Sequence, residues 1–409
     1  MRISSGSLFD TNVSMLNQQQ ASLLHTNQQV ASGRRMLTPA DDPAASANAL
    51  QVTQADGTNS QYTVNRNAVK ASTGMAEAVL QNVTTVIQDV KTMAVQAGNG
   101  TFSPSDRKSI ADEMQGRLEQ LTALANSTDG TGNYLFSGFQ GRTIPFVNTP
   151  LGVQYMADDG QRMVQVSSSR QMASSDSGAE IFMRVKSGNG IFVTEASQSN
   201  IGAAAIGQGS VTNSTHLTGS TYQLTFVTPS RYTITEKTAK GETLPPVPVP
   251  PEPAYLYTSG EAIPLPGMQI SLSGNPAAGD EFTVLPSSNE SIFKVMGDLI
   301  QALRTTSPEG DGATGGLTTS AISKAMSGLD RGLDKVLTAR ASLGARMNEL
   351  DSLQATGEDL GLQYKQTLST LQDLDYNKAV SDLNRQTTSL TAAQKSFKQV
   401  ADLSMFNYM

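Results

Sequence analysis

The chain has 409 residues, of which 16% are charged, and it contains no cysteine. That length allows two or three domains with buried cores, and the lack of cysteine excludes disulfides, thiol nucleophiles and thiolate metal sites. The formal net charge is -7 and no basic run is longer than Arg34-Arg35, which argues against nucleic acid and against an anionic membrane as partners.

The first 42 residues are predicted to form a helix and a short connection. Between Asp10 and Gly33 only three large apolar residues, Leu16, Leu23 and Val30, repeat at heptad spacing. Three such side chains cannot offset the entropy lost by ordering this segment, so we expect the helix to need partners. Because the apolar runs here are only two residues long, we expect no cleavable secretory signal. Nothing in the chain approaches the length of an apolar membrane span.

The stretch ASGRRMLTPADDPAASANAL, residues 31 to 50, is typical of a tight connection between two helices. Gly33 suits the left-handed position after a helix end, and Asp42 followed by Pro43 is a favoured cap and first turn. Arg34 and its basic neighbour can reach Asp41 and Asp42 across such a turn. An exposed pair of this kind contributes only about 0 to 1 kcal/mol.

A second, longer helix is predicted from Pro43 to Gly98. Apolar or small residues recur in it every seven positions: Ala55, Tyr62, Val69, Ala76, Val83, Val90 and Ala97. The members of a second series each lie three positions before one of the last four: Thr73, Leu80, Ile87 and Ala94. Together the two series predict the seam of a coiled coil. A shorter helix is expected after Ser103, where Ser103 and Asp106 have the spacing of a capping box.

In the middle of the chain, residues 143–288, the apolar period changes from 3.5 to 2, which predicts an inserted β domain. Segments on either side of Asp158-Asp159-Gly160 alternate and suggest a hairpin with its turn there. LPPVPVPPEP, residues 244–253, cannot pair as a central strand and is expected to be an extended surface segment. SPEGDGATGG, residues 307–316, predicts a flexible joint.

The C-terminal region returns to heptads. Ile322, Leu329, Val336, Leu343 and Leu350 share one position, and Tyr376, Leu383, Leu390 and Phe397 share a later one, accompanied by Ala379, Ala393 and Val400. The predicted fold class is therefore α+β: a long coiled-coil bundle from the N- and C-terminal regions with an inserted, mostly antiparallel β domain. The predicted division is 1–42 and 358–409 (terminal assembly helices), 43–142 and 289–357 (bundle), and 143–288 (β domain).

The sequence offers no candidate for catalysis, cofactor binding or metal binding. Its two histidines, His25 and His216, lie outside any metal-ligand spacing. The acidic pairs occupy turn or cap positions that favour aspartate on structural grounds alone. A G-x-S-x-G elbow and a phosphate-binding G-K-[ST] are both missing from the printed sequence. We therefore expect a protein that is not an enzyme.

Motifs near both ends resemble those of the bacterial flagellin superfamily over residues 1–142 and 289–409. They are SGRRMLTPADDPAASANAL (32–50), IQDVKTMAVQAGNGT (87–101), SPSDRKSIADEMQGRLEQL (103–121) and DLDYNKAVSDLNR (373–385). Within the superfamily, MRISS (1–5), NYLFSGF (133–139) and GNPAAGDEFTV (274–284) are most similar to the members that form the junction between hook and filament. Flagellin itself is the alternative, and an adhesin role of the β domain is a third, less favoured hypothesis.

The resemblance implies a structural subunit that is exported unfolded by the flagellar type III apparatus and whose terminal helices fold on assembly outside the cell. Its implied partners are the first hook-associated protein, flagellin, further copies of itself in a ring or short helical zone, and an export chaperone. No cofactor is implied. The residues predicted to form the assembly interface are Leu16, Leu23, Val30, Gly33, Arg34, Asp41, Asp42, Tyr376, Leu383, Leu390, Phe397 and Val400.

Overall fold

The computed structural model describes residues 5–247, 254–305 and 312–406. The described chain is α+β. Its α-helices are α1 (Ser5–Ser32), α2 (Pro43–Ala97), α3 (Pro104–Ala125), α4 (Ile292–Arg304), α5 (Gly312–Gln372) and α6 (Tyr376–Phe406). A one-turn π-helix, Ala179–Met183, and a 3-10 turn, Ser214–His216, lie between the strands. The described helices include none with the length and apolarity needed to cross a membrane.

The strands all fall between α3 and α4, and every pairing among those described is antiparallel. They are β1 (Phe146–Thr149), β2 (Gly152–Tyr155), β3 (Met163–Ser167), β4 (Arg170–Ala173), β5 (Val185–Lys186), β6 (Phe192–Ala196), β7 (Ala205–Ile206), β8 (Ser210–Val211), β9 (Thr221–Thr228), β10 (Arg231–Lys237), β11 (Tyr255–Leu256), β12 (Ala262–Leu265), β13 (Met268–Ser273), β14 (Glu281–Pro286) and β15 (Asn289–Glu290).

The chain divides into two compact units. We call residues up to Asn65 together with those from Ser352 onward the terminal unit, and Arg66–Asp351 the central unit. Helices α2 and α5 contribute residues to both. The five-part division predicted from the sequence follows different boundaries and stays a prediction.

The central unit has a helical core built from α2, α3, α4 and α5. The heptad positions predicted in this part of α2 are buried, from Val69 to Ala97, and so are Leu329, Val336, Leu343 and Leu350 on α5. Helices α2 and α5 run antiparallel here, since ion pairs join Lys70 to Asp351, Glu77 to Arg340 and Lys91 to Asp330. Helix α3 begins with the predicted capping box, in which Ser103 and Asp106 each accept a backbone N–H of the other.

A second core of the central unit lies between two sheets. One has the strand order β11-β10-β9-β14-β6, and the other is β12-β13-β7 with β8 also paired to β13. The predicted alternation is confirmed in β9 and β13, whose alternate residues are buried. The side chains shared between the sheets include Phe192, Tyr222, Leu224, Phe226, Ile270, Leu272 and Phe282. By contrast, β1, β2 and β5 place apolar side chains in the helical core, among them Phe146, Val153 and Val185.

The turn at Asp158 does not join the two arms of a hairpin, so this prediction was wrong. Strand β2 pairs back onto β1 and strand β3 pairs forward onto β4. The Asp158 carboxylate instead accepts hydrogen bonds from the N–H groups of Phe139, Gln140 and Gly160, at 2.8 to 2.9 Å. Partial burial raises the pKa of Asp158, but these three bonds outweigh it and lower the pKa below its usual value. In Asp158-Asp159-Gly160, the aspartate at 158 therefore holds two loop segments together and does not mark a hairpin turn.

Two further predictions concern loops. Within the proline-rich segment, Val247 and Ile234 exchange hydrogen bonds of 2.7 and 2.9 Å at the edge of β10, so residues 244–247 lie at a sheet edge; residues 248–253 lie outside the described chain. The predicted joint at 307–316 was wrong in its second half, because α5 begins at Gly312. Gly316 lies within this helix and packs against the strand region, since a Cβ there would lie 2.6 Å from the carbonyl oxygen of Ala204. Residues 306–311 lie outside the described chain.

Candidate assembly interface

All twelve residues predicted to form the interface belong to the terminal unit. The side chain of one of them, Val400, lies outside the described chain. Helices α1 and α6 pack antiparallel. The rings of Phe9 and Phe397 have centroids 5.2 Å apart, and Gln19 Nε2 donates to Ser389 Oγ at 3.5 Å. Most of the predicted apolar positions of both helices are half-buried, whereas Tyr376 is exposed. The half-buried ones are Leu16, Leu23, Val30, Leu383, Leu390 and Phe397.

The connection between α1 and α2 is hydrogen-bonded to the connection between α5 and α6. The N–H of Leu374 donates to the carbonyl of Gly33 at 3.0 Å, and the N–H of Arg35 donates to the carbonyl of Gln372 at 2.8 Å. Gly33 has φ +68°, and a Cβ at this position would lie 2.9 Å from the Tyr376 hydroxyl oxygen. Position 33 therefore requires a glycine for two reasons, its left-handed backbone conformation and the close approach of Tyr376.

The two arginines of the connection have different partners. The Arg35 guanidinium donates to the carbonyl of Leu371 at 3.0 Å and lies 3.3 Å from an Asp42 carboxylate oxygen. Arg34 pairs through its backbone with Asp373 and makes no ion pair with Asp41 or Asp42 within the described chain. The prediction that both basic residues reach the acidic pair is therefore correct for Arg35 and wrong for Arg34. The backbone of Arg34 is instead paired with that of Asp373, on the connection between α5 and α6.

The acidic pair has two separate structural roles. Asp42 caps α2 by accepting the N–H of Ala45 at 3.0 Å. Asp41 accepts the N–H groups of Thr38 and Leu37 at 2.9 and 2.8 Å, and these bonds lower the pKa of its carboxyl to about 2. The other oxygen of Asp41 lies 3.3 Å from Nε2 of His25 on α1, so the carboxylate ties the connection back to the first helix.

The terminal unit has few buried side chains and many exposed apolar ones. Among the side chains described there, the buried residues are small: Thr26, Ala45, Ala49, Gly357 and Ala379. Large apolar residues are exposed on all four helices: Phe9, Met15, Leu24, Leu50, Val64, Leu360, Leu362, Tyr376 and Val380. These exposed apolar residues make the terminal unit the candidate for contact with other chains. In the described part of the chain no group of acidic or histidine side chains is placed to hold a metal ion.

Sequence reasoning missed Leu371, Gln372 and Leu374 as partners of the first connection. Their contributions are backbone atoms, which leave no signal in residue type. The signal that could have found them was the pair of family motifs, SGRR and DLDY, one in each connection. Their pairing joins segments from opposite ends of the chain, and a single sequence contains no information on that.

Comparisons with known proteins agree with these features. Residues 3–141 match the family described as the bacterial flagellin N-terminal helical region. The chain is 29% identical to flagellar hook-associated protein 3 of Salmonella typhimurium over 406 residues, or 99% of each protein. Its structure is similar to the flagellar junction protein FlgL from Legionella pneumophila, with a TM-score of 0.70 and 31% identity over 80% of this chain and 100% of that one. Phase 1 flagellin of Salmonella naestved is 32% identical over only 36% of this chain and 27% of its own length.

Proposed function

The chain belongs to the family of flagellar hook-associated protein 3, a structural component of the flagellum, and on that premise we propose how it acts at the hook–filament junction. The observation that carries the assignment is coverage. Similarity to the hook-associated protein extends over 99% of both chains, whereas similarity to flagellin covers 36% of this one. A similarity that extends over 99% of the chain includes the β region, which is thus part of what this chain shares with its junction relative. The family is structural and not enzymatic.

We further propose that α1 and α6 acquire their ordered packing on assembly. The support is the burial pattern of the terminal unit, where the buried side chains described are no larger than threonine. Apolar burial is the main term that offsets chain entropy, and this unit has little of it on its own. Neighbouring subunits would cover the exposed apolar residues, and the two helices would then pair as a coiled coil.

The twelve predicted interface residues enter this proposal with two roles. The apolar ones hold α1 against α6, so that the two helices dock as a pair. Gly33, Arg34, Asp41 and Asp42 shape the connection that links this pair to the bundle. We propose that further copies of the chain are its lateral neighbours in a ring or short helical zone. The first hook-associated protein would bind on one side of this zone and flagellin on the other. Before export, the chain would be bound by a chaperone.

Export through the flagellar type III apparatus completes the proposal, because a chain with weakly ordered ends is suited to passage in an unfolded state. Immunogold labelling of intact flagella tests the position. We expect gold confined to the boundary between hook and filament. Gold along the whole filament would instead support the flagellin alternative.

A further inference from the structure

Strand β6 is an edge strand of the five-stranded sheet, and one side of its backbone is open. Its ladder with β14 runs through the odd-numbered residues, since the N–H of Ser197 donates to the carbonyl of Glu281 at 3.0 Å and the register continues from there. Thr194 and Ala196 therefore direct their N–H and carbonyl groups away from β14, and within the described chain these groups have no hydrogen-bond partner. An open edge is a template for another extended segment.

A cavity of about 690 Å³ lies between this edge and the helices α4 and α5, all within the central unit. We call it the edge cavity; its lining includes residues 194–198, Glu290, Val295, Leu299 and Leu317. Its volume is typical of a ligand site and admits a short extended segment.

Ala196 presents its backbone to the edge cavity. Its side chain packs against the sheet core, yet the residue is half-exposed, so the accessible part is the open edge of the strand. Thr194 is only 7% exposed, and its Oγ1 donates to the carbonyl of Gly207 at 2.9 Å. The N–H and carbonyl of Ala196 are therefore the pair of backbone groups that an incoming strand can reach.

The charged side chains at the edge cavity leave one carboxylate uncompensated. Lys324 is ion-paired with Glu195, and Lys294 with Asp298. The half-buried Glu290 beside them accepts no hydrogen bond through its side chain within the described chain. Burial raises the pKa of Glu290 above its usual value, although both lysines oppose this shift. A cation brought by a ligand would supply the partner that Glu290 lacks.

We propose that the edge cavity binds an extended segment of a partner protein that carries a lysine or an arginine, and that this segment adds a strand to β6. Its backbone pairs with the N–H and carbonyl of Ala196, and its basic side chain pairs with Glu290. Apolar side chains next to the basic one pack against Leu317. This binding goes beyond the proposed function, since it involves the central unit and none of the terminal helices.

Charge separates this occupant from the alternatives. The chain's own residues 306–311, SPEGDG, include Glu309 and Asp311 and no basic residue, so they cannot supply the cation. An anionic ligand would be repelled by Glu290. The carboxylates of the described chain are not grouped to hold a metal ion, and a free cation would leave the open edge unpaired.

Binding of a defined peptide to the full-length, unassembled protein tests the proposal. The probe is a fluorescent, capped hexapeptide in which threonine and valine alternate around one lysine, and its affinity is measured by anisotropy. Glu290→Gln should weaken binding about threefold to tenfold, whereas Glu261→Gln, the same change at an exposed position outside the cavity, should leave it unchanged. Ala196→Pro removes the N–H that faces the cavity while the ladder with β14 stays intact, and it should weaken binding as well.

The probe itself supplies matched controls. Glutamate in place of its lysine should weaken binding at least about tenfold. N-methylation of alternate residues blocks one edge of the peptide, so one of the two methylated forms should lose binding while the other retains it. Equal binding by both methylated forms, equal binding to wild type and Glu290→Gln, or no binding of the lysine probe overturns the proposal.

The absence of cysteine from the chain allows the natural segment to be identified. In a Gln198→Cys variant, a photoactivatable cross-linker on the thiol lies at the rim of the edge cavity in assembled flagella. A cross-link to a segment of another flagellar chain that carries lysine or arginine supports the proposal. A cross-link to residues 306–311 of the same chain, to a segment without a basic residue, or to nothing contradicts it. The position of the chain at the junction is decided separately, by gold labelling.

Discussion

Gly33 and Tyr376, from opposite ends of the chain, approach so closely that a Cβ on Gly33 would lie 2.9 Å from the tyrosine hydroxyl oxygen. Beside them the Gly33 carbonyl accepts the N–H of Leu374 at 3.0 Å. The two connections therefore form one hydrogen-bonded element that sets how α1 and α6 meet. Any residue with a side chain at position 33 should disturb both the backbone turn and this contact.

The first prediction follows from that contact. Gly33→Ala should reduce incorporation into flagella and swimming, because φ +68° costs a residue with a Cβ about 1 kcal/mol or more and the hydroxyl must also move. Gly57→Ala is the matched control, since position 57 lies within α2 and no atom comes within 4 Å of a Cβ there. Adding Tyr376→Phe to Gly33→Ala should restore part of the loss by removing the crowding oxygen. Wild-type incorporation of Gly33→Ala would contradict the account.

The second prediction concerns acid. The pKa of Asp41 is lowered to about 2 by the N–H groups of Thr38 and Leu37, so its contribution to the connection is present above the unfolded pKa near 4. This contribution is lost as the pH falls through 2. In assembled protein, the carboxyl carbon of Asp41 should titrate near pH 2 by solid-state NMR. Asp41→Asn should weaken the connection at neutral pH and remove this acid-dependent step; titration near 4 would show that the two hydrogen bonds are not formed.

The third prediction compares two leucines of the same helix. Leu80→Ala in the buried part of α2 should lower the free energy of unfolding of the unassembled protein by about 2 to 5 kcal/mol. Leu50 is 63% exposed, so Leu50→Ala should change that value by no more than about 0.5 kcal/mol while it reduces incorporation into flagella. Urea unfolding gives the first quantity and a competition for incorporation the second. Equal losses of stability would mean that the terminal unit is as well packed as the central one.

The fourth prediction concerns a sheltered ion pair of the central unit. Both Arg346 Nη atoms donate to the Asp176 carboxylate, at 2.8 and 3.0 Å, and the side chains are 17% and 16% exposed. Arg346→Met leaves a sheltered carboxylate without its charged partner, while the Gln161 amide still donates to it, and should lower the free energy of unfolding by about 2 to 4 kcal/mol. Adding Asp176→Leu should recover part of this loss. Arg331→Met, at an exposed pair with Asp334, should cost at most about 1 kcal/mol in the same urea experiment.

The fifth prediction separates the sheet core from the helical core. The N–H of Ser187 donates to the carbonyl of Ser288 at 2.9 Å, and the N–H of Ser288 donates to the hydroxyl of Ser187 at 3.0 Å. A short glycine linker in place of residues 189–287 should therefore leave the helical core folded and the cells motile. Deleting residues 143–288 should destabilise it, because Phe146 and Phe182 belong to that core. If cells with the shorter excision swim but no longer attach to surfaces, the adhesin hypothesis gains support.

The sequence predicted local features well where one residue type meets one geometric requirement. Gly33 in a left-handed turn, the Ser103 capping box and the alternation of β9 are of this kind. The hairpin at Asp158 failed because aspartate before glycine suits a loop anchor as well as a hairpin turn. The bond between Gly33 and Leu374 could not be predicted, because it joins backbone groups from opposite ends of the chain.

Hydrogen exchange on the full-length, unassembled protein, read by mass spectrometry, tests the central claim most directly. The account predicts strong protection in α2 after Arg66 and in α3 and α4, whose buried apolar side chains are large. It predicts exchange close to that of an unfolded chain in α1 and α6. Slow exchange throughout Ser5–Ser32 and Tyr376–Phe406 in the free monomer would contradict it, since the terminal helices would then be ordered without neighbours.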